Sequence, residues 1–206
     1  MPFAPASFFD LDGFAHRTLW LDGDPVWAAL GRLQEYLEGW GACQIESAVP
    51  EGVFLVNRER ISIGKGVVIE PGAYIEGPCL VGAGSAIRHG AYLRGGVILG
   101  EGCTVGHAAE VKHSILLDGA AATHFTYVGD SILGRNVNLG AGVKCANLRL
   151  DRKEVTVRWE GQKGATGLRK MGAIVGDGCQ VGCNSVLNPG TLLKPGSLLR
   201  PLSGQS

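Results

Sequence analysis

Hydrophobic residues return along this chain at a step of six. From Ile63 the sixth positions are Ile69, Ile75, Val81, Ile87, Leu93, Leu99, Val105, Val111 and Leu117, all aliphatic, until the polar Thr123 breaks the run. The step resumes as Leu133, Leu139 and Cys145, and after a gap as Val175, Val181, Leu187, Leu193 and Leu199. Two residues before an aliphatic position the side chain is usually small, as at Ala73, Cys79, Ser85, Ala91, Cys103, Ala109 and Ala121. An α-helix repeats every 3.6 residues and a plain strand every two, so neither sustains a six. A parallel β-helix does. Each hexad supplies one short strand and one turn, three hexads close a triangular coil, and each aliphatic side chain stacks on its counterpart about 4.8 Å away in the next coil. Hexads of Leu, Ile or Val with Gly are those of the left-handed form. The predicted fold is all-β: a left-handed parallel β-helix of hexapeptide repeats.

Two segments depart from that pattern. Asp24-Pro25 reads as a helix start, with Asp as N-cap and Pro at the first helical position. Val26, Leu30, Leu33 and Leu37 then share one helical face, and Gly39 is the expected stop. A lone helix of about 15 residues does not fold by itself, so it should pack on the first coils or on a neighbouring subunit. Between Ala146 and Ile174 the hexads vanish; KEVTVRW alternates like a strand and EGQKG reads as a turn, which predicts a loop or hairpin excursion over 146–174. The expected division is an N-terminal helical extension over 1–50, a β-helix domain over 51–202 and a tail over 203–206.

Composition narrows the function. Lys+Arg and Asp+Glu both number 19, a formal charge of zero without the basic excess of a nucleic-acid binder. Glycine, at 33 of 206 residues, is about twice its usual share, as a chain that turns every few residues requires. No apolar run approaches the ~18 residues of a membrane span, and MPFAPASFFDLDG lacks the basic start of a signal peptide; no membrane association and a cytoplasmic location are expected. The six cysteines are scattered without paired metal-ligand spacing and read as small buried thiols.

A solenoid core buries polar groups only at a cost, so departures from the repeat mark candidate chemistry. The hexad in which Thr123 takes the aliphatic place reads THFTYVGD and carries His124 and Tyr127. Around it lie Arg94, Lys112, and NLGAGVKCAN with Asn138 and Asn147. Arg94 and Lys112 are three hexads apart, hence at equivalent places in adjacent coils, where two cations repel unless an anion lies between them; a phosphate would serve. His16, His89, His107 and His113 read as surface or satisfied side chains. A metal site made by His107, His113 and His124 between subunits, as in γ-type carbonic anhydrases, is disfavoured because their offsets from the aliphatic positions are two, two and one; no metal is expected.

From about Ile63 onward the chain resembles the left-handed β-helix acetyltransferase domain of the bifunctional N-acetylglucosamine-1-phosphate uridylyltransferase/glucosamine-1-phosphate acetyltransferase family. The stretch EVKHSILLDGAAATHFTYVGDSILGRNVNLGAGVKCAN carries the family's lysine, H-x-x-Y-x-G-D, and N-x-G-A-G followed by an asparagine. The loop NLRLDRKEVTV and the later GLRKMGAIVGDG are closer to the archaeal version fused to sugar-1-phosphate nucleotidylyltransferases. The resemblance implies His124 as general base, Arg94 and Lys112 on the sugar 1-phosphate, and Tyr127, Asn138, Asn147 and Lys153 as further sugar contacts. It implies acetyl-CoA as co-substrate, with the Ala141 N–H facing the thioester oxygen and Cys183 and Pro201 lining the acetyl-CoA cleft. It also implies a homotrimer with active sites between subunits. The chain departs from the family in lacking the Gly-rich nucleotidylyltransferase start and the C-terminal arm of bacterial members, so UTP-dependent chemistry is not expected. The implied activity is N-acetylation of an amino-sugar 1-phosphate, glucosamine 1-phosphate or galactosamine 1-phosphate. The alternative is a non-catalytic β-helix that binds sugar nucleotides and partners a separate nucleotidylyltransferase.

Overall fold

The computed structural model describes residues 3–205. Each hexad forms a strand of two to four residues, and the strands stack in parallel into three sheets, the faces of a triangular prism. Face one runs from Phe54–Val56 through Tyr74–Glu76, Tyr92–Arg94, Glu110–Lys112, Tyr127–Gly129, Lys144–Cys145 and Val186–Leu187 to Gly204–Gln205. Face two runs from Ile61–Ile63 to Leu192–Leu193, and face three from Val68–Ile69 to Leu198–Leu199, seven strands each. This is the predicted parallel β-helix, consistent with the left-handed form. Because Gly204–Gln205 pairs with Val186–Leu187, residues 203–205 extend the solenoid and do not hang from it as a tail.

The aliphatic positions fill the prism: Ile63, Ile75, Leu93, Leu99, Val111, Leu139 and Leu187 are each at most 1 % exposed. The register explains where the six-step fails. Tyr74 pairs with Tyr92 and Tyr92 with Glu110, eighteen residues per coil, but Glu110 pairs with Tyr127 and Tyr127 with Lys144, seventeen per coil. Two steps of five, Val111 to Leu116 and Val128 to Leu133, move the inward positions to Leu116, Ala122, Val128 and Leu133. Leu117, expected inside, joins the apolar cluster on the outer side of the sheet. Thr123 is not an intruder in the core either: Ala122 takes the inward place, and the Thr123 hydroxyl donates to the Leu139 carbonyl at 3.2 Å. A one-residue slip exchanges inside for outside along the strand.

Face two is apolar on both sides, as its triplets CLV, VIL and SIL show. Its outward residues Leu80, Ile98, Ile115, Ile132 and Ile174 pack against a second cluster built from Phe8, Phe14, Leu19, Val26, Leu30, Leu33 and Leu37. Helix α1 (Ala28–Glu38) thus lies along several coils of face two and covers a side of the prism, not its open end. Burying each such Leu or Ile contributes about 1.5–3 kcal/mol. The expected cap is corrected. The Asp24 carboxylate is taken by the Arg32 guanidinium and the Leu21 N–H, the helix begins only at Ala28, and no side chain caps it. Gly39 does end it, its N–H donating to the Glu35 carbonyl at 2.9 Å. The excursion is a hairpin, Thr156–Trp159 antiparallel to Gln162–Ala165. Val155, Val157 and Met171 join the same cover, and the Trp159 ring lies 4.6 Å from that of Phe8.

Cys79, Cys103, Cys145 and Cys179 are buried, Cys43 is half-buried and Cys183 is exposed; all are free. Among the described residues no helix is long and apolar enough to cross a membrane.

Candidate functional site

Most of the candidate residues fall on the two edges of face one. At the edge shared with face three a column rises coil by coil. Ala122 pairs with Leu139, Leu139 with Val181 and Val181 with Leu199, so two residues further on His124, Ala141, Cys183 and Pro201 stand at one corner in four successive coils. Main-chain bonds mark the same ladder. The Gly142 N–H donates to the His124 carbonyl at 2.8 Å, Asn184 to Ala141 at 2.8 Å and Leu202 to Cys183 at 3.0 Å. His124, Cys183 and Pro201 are exposed. Below them the column continues with His107, which pairs with His124, and His89, whose ring stacks on that of His107 at 5.6 Å. His124 therefore has the same offset as His107, contrary to the count from Thr123. His113 sits at a different corner. Among the described residues no three His, Cys, Asp or Glu side chains form a group able to hold a metal ion.

The other edge of face one, shared with face two, carries the cations. Leu93 pairs with Val111, so Arg94 and Lys112 occupy successive rungs, as their spacing requires. They open on a cleft of about 320 Å³ whose walls include Glu76, His113, Asp130 and, from helix α1, Gln34. The structure corrects the expectation that an anion must separate the two charges: each already has a carboxylate. Arg94 Nη1 donates to Glu110 Oε1 at 2.6 Å, and Lys112 Nζ to Asp130 Oδ2 at 3.2 Å. Asp130, 5 % exposed, also accepts from the Asn147 amide. Burial by itself would raise its pKa, but the contacts from His113 and Asn147 and the charge of Lys112 outweigh that, so the carboxyl is held below the ordinary range.

Tyr127 starts the strand between the two edges, and its half-buried hydroxyl reaches Asn147; burial raises its pKa, which keeps it a neutral donor. Thus Arg94, Lys112, Tyr127 and Asn147 are brought together. His124 is not in their cleft but at the opposite edge of the same face, five residues from the Gly129 rung that pairs with Lys112, or at most about 17 Å of chain. Asn138 stands exposed on face three, between Ala121 and Gln180. Lys153 stands exposed on the excursion, outside the cleft. Sequence reasoning missed Glu110, Asp130, His113 and Gln34. The first two were findable, since a carboxylate about one coil beyond each cation is the signal for a pair.

Fold and repeat together define a parallel β-helix of the hexapeptide-repeat class. Comparison with known proteins narrows this. Residues 75–162 match the profile of the GMPPB C-terminal domain. The chain is 43 % identical over 77 residues to a bifunctional sugar-1-phosphate nucleotidylyltransferase/acetyltransferase of Sulfurisphaera tokodaii, the match covering 37 % of this chain and 19 % of the relative. It is 44 % identical over 77 residues to the bifunctional protein GlmU of Methanococcus maripaludis and 39 % to that of Methanocaldococcus jannaschii, covering 37 % of this chain in both and 18 % and 19 % of the relatives. The matched part therefore spans about a fifth of these relatives. The chain is similar to the family that its sequence motifs indicated.

Proposed function

We propose that this chain is an acetyl-CoA-dependent N-acetyltransferase acting on an amino-sugar 1-phosphate, glucosamine 1-phosphate or galactosamine 1-phosphate. The observation that carries the reading is the arrangement around face one: His124 with Ala141, Cys183 and Pro201 on one edge, two cations on the other, and Tyr127 between them. In this reading Arg94 and Lys112 turn from Glu110 and Asp130 toward the phosphate, while Tyr127, Asn147, Asn138 and Lys153 contact the sugar. His124 removes the proton as the amine nitrogen attacks the thioester carbonyl, the role of a general base. The Ala141 N–H steadies the oxyanion, and the coenzyme A thiolate leaves as the amide forms. No covalent enzyme intermediate is involved. Cys145 is buried, its thiol pushed up to about 12 by burial, which disqualifies it as a nucleophile. Asn138 and Lys153, remote from the cleft within one chain, fit a homotrimer whose site lies between subunits.

The test is release of free thiol from acetyl-CoA in the presence of either amino-sugar phosphate, with the N-acetyl product identified by mass. Equimolar thiol and N-acetyl sugar phosphate are expected. Binding of the sugar phosphates without thiol release would overturn catalysis in favour of the non-catalytic partner.

A further inference from the structure

His113 has no part in the reading above, yet it lines the cleft beside Lys112 and stacks one coil from Asp130. Its Nδ1 is buried and stands 3.1 Å from Asp130 Oδ1. The side chain is 30 % exposed and lines the cleft, so part of the ring faces the open space. Room for the ring depends on Gly96: a Cβ there would lie 3.2 Å from His113 Cδ2, and its φ of +63° disfavours any other residue.

The charges facing His113 are those of Arg94 and Lys112, opposed by Glu76 and Asp130, with Glu110 drawn to Arg94. Gln34, the contribution of helix α1 to the lining, is neutral. Arg94 and Lys112 face Glu76, Asp130 and, paired with Arg94, Glu110, so the cleft carries no surplus positive charge and is a poor host for a dianion. Among the described lining residues, only His113 can gain a positive charge near neutral pH.

We propose that His113 is the third anion-binding group of this cleft, and that an oxyanion dianion binds there together with one proton taken up by the imidazole. Asp130 positions the ring and faces Nδ1; Nε2–H donates to the anion. This deepens the proposed function and rests on it only for the identity of the anion as a sugar 1-phosphate. Affinity then falls as pH rises through the imidazole pKa of the bound state.

The experiment uses sulfate as the primary probe, because it stays a dianion across the range, and glucosamine 1-phosphate as the second. The side-chain resonances of the five histidines are followed by NMR, with His113→Asn assigning the signal. Saturating sulfate should raise the His113 pKa by about one unit, and wild-type affinity should fall about tenfold between pH 5.5 and 8 while His113→Asn shows a flat profile. Asp130→Asn, a second variant, should lower the free-state His113 pKa. An unmoved His113 resonance at saturation, an unchanged pH profile in His113→Asn, or no sulfate binding at all would overturn the proposal. If sulfate couples to His113 but no amino-sugar phosphate is acetylated, the activity falls and this inference stands. Turnover with a silent His113 gives the reverse.

Discussion

Lys112 donates to Asp130 across one coil, Nζ to Oδ2 at 3.2 Å, from a side chain three-quarters buried to a carboxylate almost wholly so. A buried carboxylate persists only while its oxygens are satisfied, and Asp130 has Lys112, Asn147 and His113 around it. Asp130, which holds the Lys112 ammonium in place, is thus also a tie between successive coils.

Asp130→Asn should cost about 1–3 kcal/mol, read as a lower urea midpoint with an unchanged slope. The pH dependence has a definite sign. A carboxyl held below its ordinary pKa contributes stability that is present above the unfolded value, about 4, and is lost as pH falls through the folded value. The acid limb of wild-type stability should therefore be steeper than that of Asp130→Asn. Identical limbs would show that the fold does not favour the ionised form of Asp130.

Gly106→Ala tests the corner that carries His124. A Cβ at Gly106 would collide with the Thr123 main chain in the coil above, where no flexible side chain can yield. We expect a loss of about 3 kcal/mol, from the overpacking of a backbone contact. Because the displaced segment ends in His124, the folded fraction should also lose turnover. A variant as stable and active as the parent would mean that the coils can separate locally.

The core and the excursion were legible because periodicity is a local property: six-step aliphatics specify inward positions, and KEVTVRW specifies an alternating strand. The slip was not legible. Leu116 and Leu117 are both aliphatic, so shortening the coil by one residue leaves the composition of the repeat unchanged while exchanging which leucine faces inward. The carboxylate partners were within reach, since Glu110 and Asp130 follow Arg94 and Lys112 by close to one coil. His113 was not, because a histidine beside a lysine reads as surface; only the register brings Asp130 beside it in the next coil. The path of α1 over face two follows from CLV, VIL and SIL, whose outward residues are as apolar as their inward ones.

His16 gives a second pH dependence, located in the cover. It is 6 % exposed, its Nδ1 lies 3.0 Å from the Tyr36 hydroxyl, and burial lowers its pKa from 6.5 to about 4. A buried neutral histidine with a depressed pKa loses stability as pH falls from the unfolded value to the folded one, here from about 6.5 to about 4. The loss should be about 3 kcal/mol at most. Trp20, Trp27 and Trp159 lie in the cover, and the exposed Trp40 ring stands 5.0 Å from that of His16, so intrinsic fluorescence reports release of the cover. Fluorescence should change between pH 6.5 and 4 in wild type and less in His16→Gln. A transition of equal size in both would assign it elsewhere.

His124→Ala separates chemistry from folding most sharply. The side chain is exposed, and no hydrogen bond ties it to the described residues, so its removal should change stability by less than about 0.5 kcal/mol. Turnover should nevertheless drop by about 10²–10⁴-fold, the usual contribution of a general base, with the loss in kcat and not in KM for the sugar phosphate. The pH–rate profile should lose the rising limb that reports deprotonation of the base. A variant that retains both its rate and that limb would remove His124 from the mechanism while leaving the cleft at the other edge of face one intact.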